Sequence, residues 1–439
     1  MVISLNSTAR TTQNTLRLNR TRRASPSKVV ARTVSLPIIR YAYYAFIFSI
    51  PFESIALADN FLSVSKVPGL FFGLTAFLRP RVCFRRPPQA FWCFFWYLSV
   101  VVMMAPFQEP QFTSQIISRL LTLTQLLLLF WTSYNVMCDE RVVKGTLLTL
   151  IISCTIVAVL MFVGLGNSPY EDRDTALGWN PNALATMLSS GLVGIVGLAF
   201  GRRTRELKVL LLMAACSGVL AMQIVRTGSR GALIALIVAL LAFPLKKTKS
   251  LSSKIQLVLI GVLAIGFLAW TSYRSELVRE RWEATFATGD TAGRDTIFAQ
   301  AWNMFLEKPL LGWGPLSNVY ELGSRVGLPF RDPHNLYLWV LTETGLFGAI
   351  PFFIGLWLCL RAAWKARDGL QGVLPLSMIL CLLINNMKGT SLSSKLFWIV
   401  LAYALAGAYH ATSRKQHTYL ARTSQPVATH PAGLHVGTR

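Results

Sequence analysis

The chain has 439 residues, 53% of them hydrophobic and 14% charged, where an average soluble domain is roughly a quarter charged. Apolar residues come in runs of about 17 or more, long enough to span a bilayer core, which excludes an ordinary soluble globular protein. A formal net charge of +24 would point to nucleic acid in a soluble chain, but here membrane orientation accounts for the cations, and no nucleic-acid partner is expected.

Residues 1–36 are rich in Arg, Ser and Thr and contain no acid. An organellar transit peptide has the same composition. The preferred reading is a disordered cytoplasmic arm that anchors orientation. About twelve apolar spans follow, at 38–58, 62–78, 89–107, 112–133, 145–165, 182–200, 207–225, 230–245, 255–272, 335–360, 370–386 and 395–411. The second and eighth are short. No segment alternates with a strand period, so a β-barrel is not expected. Letting the helices alternate from a cytoplasmic N-terminus puts most of the 43 Lys and Arg in inward segments such as RPRVCFRRPP, GRRTRELK, KKTKSLSSK and the two tails. This is the positive-inside bias, and it places both termini in the cytoplasm. The expected fold is all-α, a polytopic integral membrane protein with one large periplasmic loop. Its parts are the arm at 1–36, helices one to nine at 37–272, the loop at 273–334, helices ten to twelve at 335–411 and a cytoplasmic tail at 412–439. The seven cysteines lie in helices or inward loops and show neither a disulfide framework nor zinc spacing.

Candidate chemistry lies in the outward loops. GNSPYEDRDTALGWNPN, 166–182, holds an Asp-x-Asp pattern at Asp172 and Asp174. Glycosyltransferases can hold a metal and a sugar diphosphate with such a pair, but a solvated acidic loop is the preferred reading, and no metal is expected. VRTGSRGAL, 225–233, puts Arg226 and Arg230 at the outer membrane edge, where arginine is disfavoured and an uncompensated charge is expensive. A phosphate or pyrophosphate held by a guanidinium fork would explain them; snorkelling arginines are the alternative.

In the long loop, TIFAQAWNMFLEKP, 296–309, places Ile297, Phe298, Ala301, Trp302, Phe305 and Leu306 on one face. This predicts an amphipathic helix lying flat in the membrane interface. GDTAGRD precedes it, with Asp290, Thr291 and Asp295 as candidate caps. Arg294 therefore sits near a helix N-terminus, a natural anion site, unless it merely touches lipid headgroups. RDPHN follows at 331–335. Pro333 is expected at a helix start with His334 and Asn335 in the first turn. His334 is the one imidazole before the last apolar span and can serve as a general base. Asp332 is placed to orient the ring or raise its basicity; a helix-capping histidine that meets water is the alternative. Glu343, deeper in the same helix, needs a partner, either on a neighbouring helix or an arginine such as Arg230. No Walker A loop, dinucleotide glycine fingerprint or catalytic nucleophile is visible.

These residues resemble the O-antigen ligase and polymerase superfamily of bacterial envelopes. That family carries His-Asn, then nine residues, then Gly-x-x-Gly. Here His334 and Asn335 precede LYLWVLTET and Gly345-Leu346-Phe347-Gly348. Two further motifs match in order: Ser229-Arg230-Gly231, and Gly293-Arg294 before an aromatic helix ending in Pro309-Leu310-Leu311-Gly312-Trp313-Gly314. The resemblance covers roughly 220–360. It implies a metal-independent, cofactor-free inverting glycosyltransferase at the outer face of the bacterial inner membrane. The donor would be an undecaprenyl diphosphate-linked glycan. The acceptor would be a carrier-linked glycan for a polymerase, the favoured reading, or lipid A core for a ligase. Diphosphate binding carries over to Arg230 and Arg294, with Arg226 in support, and catalysis to His334. Asp332, Asn335, Glu343, Gly345 and Gly348 are supporting positions. A polysaccharide flippase is the competing class, but it would line a midplane cavity with charge, whereas here charge concentrates in outer loops and the helix interiors are nearly clean, with Arg119 and Glu343 as exceptions.

Overall fold

The computed structural model describes residues 37–57, 62–170, 173–201, 206–245, 251–288, 293–367, 369 and 371–423. The predicted arm at 1–36 and most of the predicted C-terminal tail lie outside the described residues. The described chain is almost entirely helical: α1 Pro37–Ser49, α2 Lys66–Phe77, α3 Pro80–Cys83, α4 Gln89–Met104, α5 Thr113–Met137, α6 Glu140–Phe162, α7 Pro181–Gly201, α8 Leu207–Arg226, α9 Arg230–Leu241, α10 Leu251–Arg274, α11 Glu276–Thr288, α12 Arg294–Glu307, α13 Ser317–Arg325, α14 Leu336–Ala366, α15 Leu374–Asn385 and α16 Lys395–Thr423. Two small antiparallel hairpins interrupt it, β1 Ala56–Leu57 with β2 Leu62–Ser63, and β3 Asn167–Tyr170 with β4 Arg173–Ala176.

A helix stands at each predicted span. Among the described residues seven are long and apolar enough to cross a bilayer: α4, α5, α6, α7, α8, α14 and α16. Three apolar helices, α2, α9 and α15, are shorter. A short apolar helix usually belongs to a buried core, and α15 fits this, being buried along nearly its whole length against α7, α9, α14 and α16. The longer helices instead leave large apolar side chains bare: Trp92 is 57% exposed and Leu212 65%. In water such a belt would drive association; in lipid it is the solvated surface. α16 continues past the predicted end at 411 to Thr423.

The bundle has two flanks. α14 packs on α4 and α16, and α16 on α5; α6, α7, α8 and α9 form the other side, with α15 between them. The predicted long loop is itself structured, holding α11, α12 and α13. It is bound to the bundle, α11 on α8 and α9, and α12 on α14.

Candidate active site

Four chain segments meet at one end of the bundle. The first is the turn from α8 to α9. Gly228 takes φ +62, a left-handed conformation that lets the chain reverse between the two helices. Arg230 then opens α9, and its guanidinium donates to the Arg281 carbonyl and Thr285 Oγ of α11. Arg281 returns a bond to the Gly228 carbonyl at 3.3 Å. Arg226, the other arginine of this turn, turns aside: its Nε lies 2.8 Å from Asp174 Oδ2 on β4. That ion pair also occupies one carboxylate of the Asp-x-Asp pattern; Asp172 lies outside the described residues. Between them Arg173 is buried and donates to the Thr227 carbonyl at 2.9 Å and to Asn182 Oδ1 at 3.0 Å.

The second segment is α12. Arg294 is its first residue, after Gly293 at φ +70. No side chain caps the helix among the described residues; the candidates Asp290 and Thr291 lie outside them, and Asp295 is in the first turn. The predicted apolar face is divided. Ile297, Ala301, Met304 and Phe305 are buried with Leu322, while Trp302 and Leu306 face outward. The helix therefore packs on protein along one side and leaves an apolar edge exposed on the other, because Trp313 and Leu338 close over its inner side.

The third is the entry to α14. His334 does not lie in the first helical turn as expected. It precedes the helix with φ +49, because Asn335 is the N-cap: its Oδ1 accepts from the Tyr337 and Leu338 amides at 2.9 and 3.2 Å. Asp332 Oδ1 accepts the His334 backbone N–H at 2.6 Å, which fixes the turn. The same oxygen lies 3.9 Å from His334 Nδ1, too long for a hydrogen bond to the ring. Asp332 thus orients His334 through the backbone and acts on the ring by charge. Burial lowers the imidazole pKa below its ordinary 6.5, Asp332 pulls it back up, and Arg331 and Arg294 push it down.

These arginines converge. Burial and then the positive charges of Arg230, Arg281 and Arg331 lower the pKa of Arg294. Arg331 Nε is buried without a hydrogen-bond partner among the described residues. Guanidinium groups stay charged at any relevant pH, so such a gathering repels itself unless an anion sits within it.

The two glycine motifs form a single joint behind this site. α14 breaks at Gly345, with φ +55 and ψ −159. The loop 309–314 supplies the hydrogen bonds that the break forfeits. Trp313 and Gly314 amides donate to the Thr342 and Glu343 carbonyls at 2.8 and 2.9 Å; Leu346 and Phe347 amides donate to the Pro309 and Leu310 carbonyls at 2.8 and 3.1 Å. In a lipid environment these groups must be satisfied internally. The backbones meet so closely that a Cβ at Gly345 would lie 2.4 Å from Leu310 C, and one at Gly312 2.7 Å from Glu343 C. A Cβ at Gly348 would meet Thr344 Oγ1 at 2.4 Å. The joint locks the Arg294 helix to the His334 helix.

Glu343 does find an arginine, but it is Arg119 of α5 rather than Arg230. Arg119 Nη2 lies 2.6 Å from Oε1, an ion pair not aligned for a hydrogen bond. Oε2 accepts from Tyr97 of α4 and from Trp339 Nε1 at 3.1 Å, and the guanidinium sits 4.7 Å over the Trp339 ring. Glu343 is a structural tie in the bundle.

The fourth segment, 386–390, was not anticipated from sequence. The Asn386 carbonyl accepts the Leu336 amide at 2.9 Å, Lys388 Nζ donates to Ser229 Oγ, and Thr390 Oγ1 donates to Asp332 Oδ1 at 2.8 Å. Arg281 and Arg331 were likewise passed over. For Arg331 and Lys388 the available signal was a cation beside the predicted outward end of an apolar span, as for Arg230; Arg281, inside the helix Glu276–Thr288, carried no such signal.

A bundle of apolar helices long enough to cross a bilayer, with a gathering of cations at one end, is the architecture of a polytopic membrane protein. The family model described as O-antigen ligase matches residues 215–353, about a third of the chain, and the match supports the resemblance of this segment to the O-antigen ligase and polymerase superfamily. Members of that family transfer glycans. The match includes Arg230, Arg281, Arg294, Arg331 and His334, and excludes Arg173 and the segment 386–390. No curated protein matches the chain.

Proposed function

We propose that the protein is an inner-membrane glycosyltransferase that polymerises polyprenyl diphosphate-linked oligosaccharide repeat units for exopolysaccharide or O-antigen. The twelve spans, the cytoplasmic termini and the periplasmic position of the site belong to the same proposal. The observation that carries it is the gathering of Arg230, Arg281, Arg294 and Arg331 beside a half-buried, readily neutral imidazole. The arginines match a diphosphate, and the surrounding helices match its lipid carrier. An apolar groove of about 300 Å³ is lined by Tyr337, three residues after His334 in sequence, and by Leu341, Phe353 and Trp357, a lining suited to the isoprenoid chain.

In this mechanism the acceptor hydroxyl attacks the anomeric carbon. Asp332 lies on the Nδ1 side of His334, which leaves Nε2 to take the hydroxyl proton. The new C–O bond forms as the bond to the diphosphate oxygen breaks, and polyprenyl diphosphate departs. Arg294 and Arg230 balance the charge that grows on it. A single displacement inverts the anomeric configuration.

The test uses purified wild-type protein and His334→Ala, with polyprenyl diphosphate-linked repeat units as the sole substrate and products sized on a gel. A ladder from wild type, reduced about 10²-fold or more in the variant, is expected. Equal ladders would remove His334 from the chemistry. The match to a family described as O-antigen ligase favours a second reading, a ligase that passes the glycan to lipid A core. It would replace the first if the wild type made no ladder but acted once lipid A core was added.

A further inference from the structure

We propose that Lys388 is a further ligand of the donor diphosphate, carried on a strap, residues 386–390, that completes the site from outside the segment matched to the family. This rests on the reading of the site given under Proposed function.

Three observations carry it. The strap touches both halves of the site. It holds the first residue of α14 through the Asn386 carbonyl, the acid behind His334 through Thr390, and the N-cap serine of the Arg230 helix through Lys388. Second, Lys388 is buried, 8% exposed, with its methylenes laid against Gly231; a Cβ there would come 2.2 Å from its Cδ. Gly231 is the glycine of the Ser-Arg-Gly turn, so the bare backbone makes the slot through which the lysine reaches Ser229. Third, among the described residues Lys388 Nζ has one hydrogen-bond partner, Ser229 Oγ, and no carboxylate. An ammonium offers three donors, and an unpaired buried charge is expensive.

The charges around it explain what would complete it. Burial comes first, then Arg294 and Arg173, and together they push the amine down to about 7, with the Cys381 sulfur acting in the opposite direction. Arg230 adjoins Ser229, and Asp332 is reached only through Thr390. A residue set merely for packing would gain nothing from a cation among cations. A diphosphate placed between Arg294 and Arg230 would accept from Nζ and restore its full charge. The empty site is then partly discharged at neutral pH, and donor binding draws one proton onto Lys388 from solvent.

The experiment is isothermal titration of polyprenyl diphosphate, without glycan, into the full-length protein in nanodiscs. It runs at pH 6 and pH 8 in two buffers of different ionisation enthalpy. Wild type should bind with proton uptake approaching one at pH 8 and little at pH 6. Lys388→Met should bind about tenfold or more weakly, the loss expected of one charge-assisted hydrogen bond, and show no uptake. Lys388→Arg, which stays charged and keeps the strap, should retain binding yet lose the uptake at pH 8. If Lys388→Met matches wild type in affinity and uptake while Arg294→Ala fails to bind, the lysine assignment is wrong and the diphosphate site stands. Absence of binding by folded wild type overturns both.

Discussion

At the scale of single residues, His334 has its protonation state arranged by its neighbours. Burial and two arginines favour the neutral ring, and one aspartate opposes them. A general base works when unprotonated, so the sign is direct. At saturating donor, where the bound diphosphate holds Lys388 charged, activity should stay level through neutrality and fall as pH drops through a value below 6.5. Replacing Asp332 by Asn keeps an oxygen for the His334 amide and for Thr390 but removes the charge that raises the ring pKa. The acid limb of the pH–rate profile should then move to lower pH, with the maximal rate little changed. A shift to higher pH, or none, would show that Asp332 does not act on the ring by charge. The histidine was legible in the sequence because imidazole is rare in this chain and sat at a span boundary. Arg226 was equally visible, yet its partner Asp174 lies 52 residues away in sequence, and no local pattern could have paired them. Lys388 escaped notice for the same reason: its meaning comes from Ser229, 159 residues distant.

At the scale of elements, the apolar runs located every helix of the bundle, because the bilayer dictates length and composition together. They did not reveal the break in α14. Gly345 sits in a region of backbone space open essentially only to glycine, and Gly312 opposes it without room for a side chain. Gly345→Ala and Gly312→Ala should each lower stability by at least about 1–3 kcal/mol, read as a lower Tm in detergent, and should abolish ladder formation. Gly218→Ala on α8, where a Cβ meets nothing within 4 Å, is the control that should leave both unchanged. The glycine spacing in this chain thus has a steric cause, the contact of two backbones, that reading one motif at a time cannot supply.

At the scale of the whole molecule, Arg119, Tyr97, Trp339 and Glu343 fasten α4, α5 and α14 together in the apolar interior. Removing one partner leaves a charge stranded, whereas removing both does not. Arg119→Leu alone should destabilise the protein by about 3–5 kcal/mol, and the double variant Arg119→Leu, Glu343→Leu by clearly less. Thermal melting of the three proteins in one detergent decides this; a double variant as unstable as the single one would mean that packing rather than charge is at stake. Sequence alone showed these two residues as the exceptions in otherwise clean helices, and the fold makes each the explanation of the other.

The convergence of arginines has a bearing on turnover. On the proposed chemistry the discharged carrier leaves the reaction with its diphosphate intact, and so it still satisfies the groups that drew the donor in. Its departure must re-expose mutually repelling guanidinium groups and hand back any proton taken up on arrival. Exit of the empty carrier, rather than bond formation to the sugar, then becomes the slow event of each cycle. The rate of polymer growth would follow how quickly the membrane clears that carrier from the enzyme.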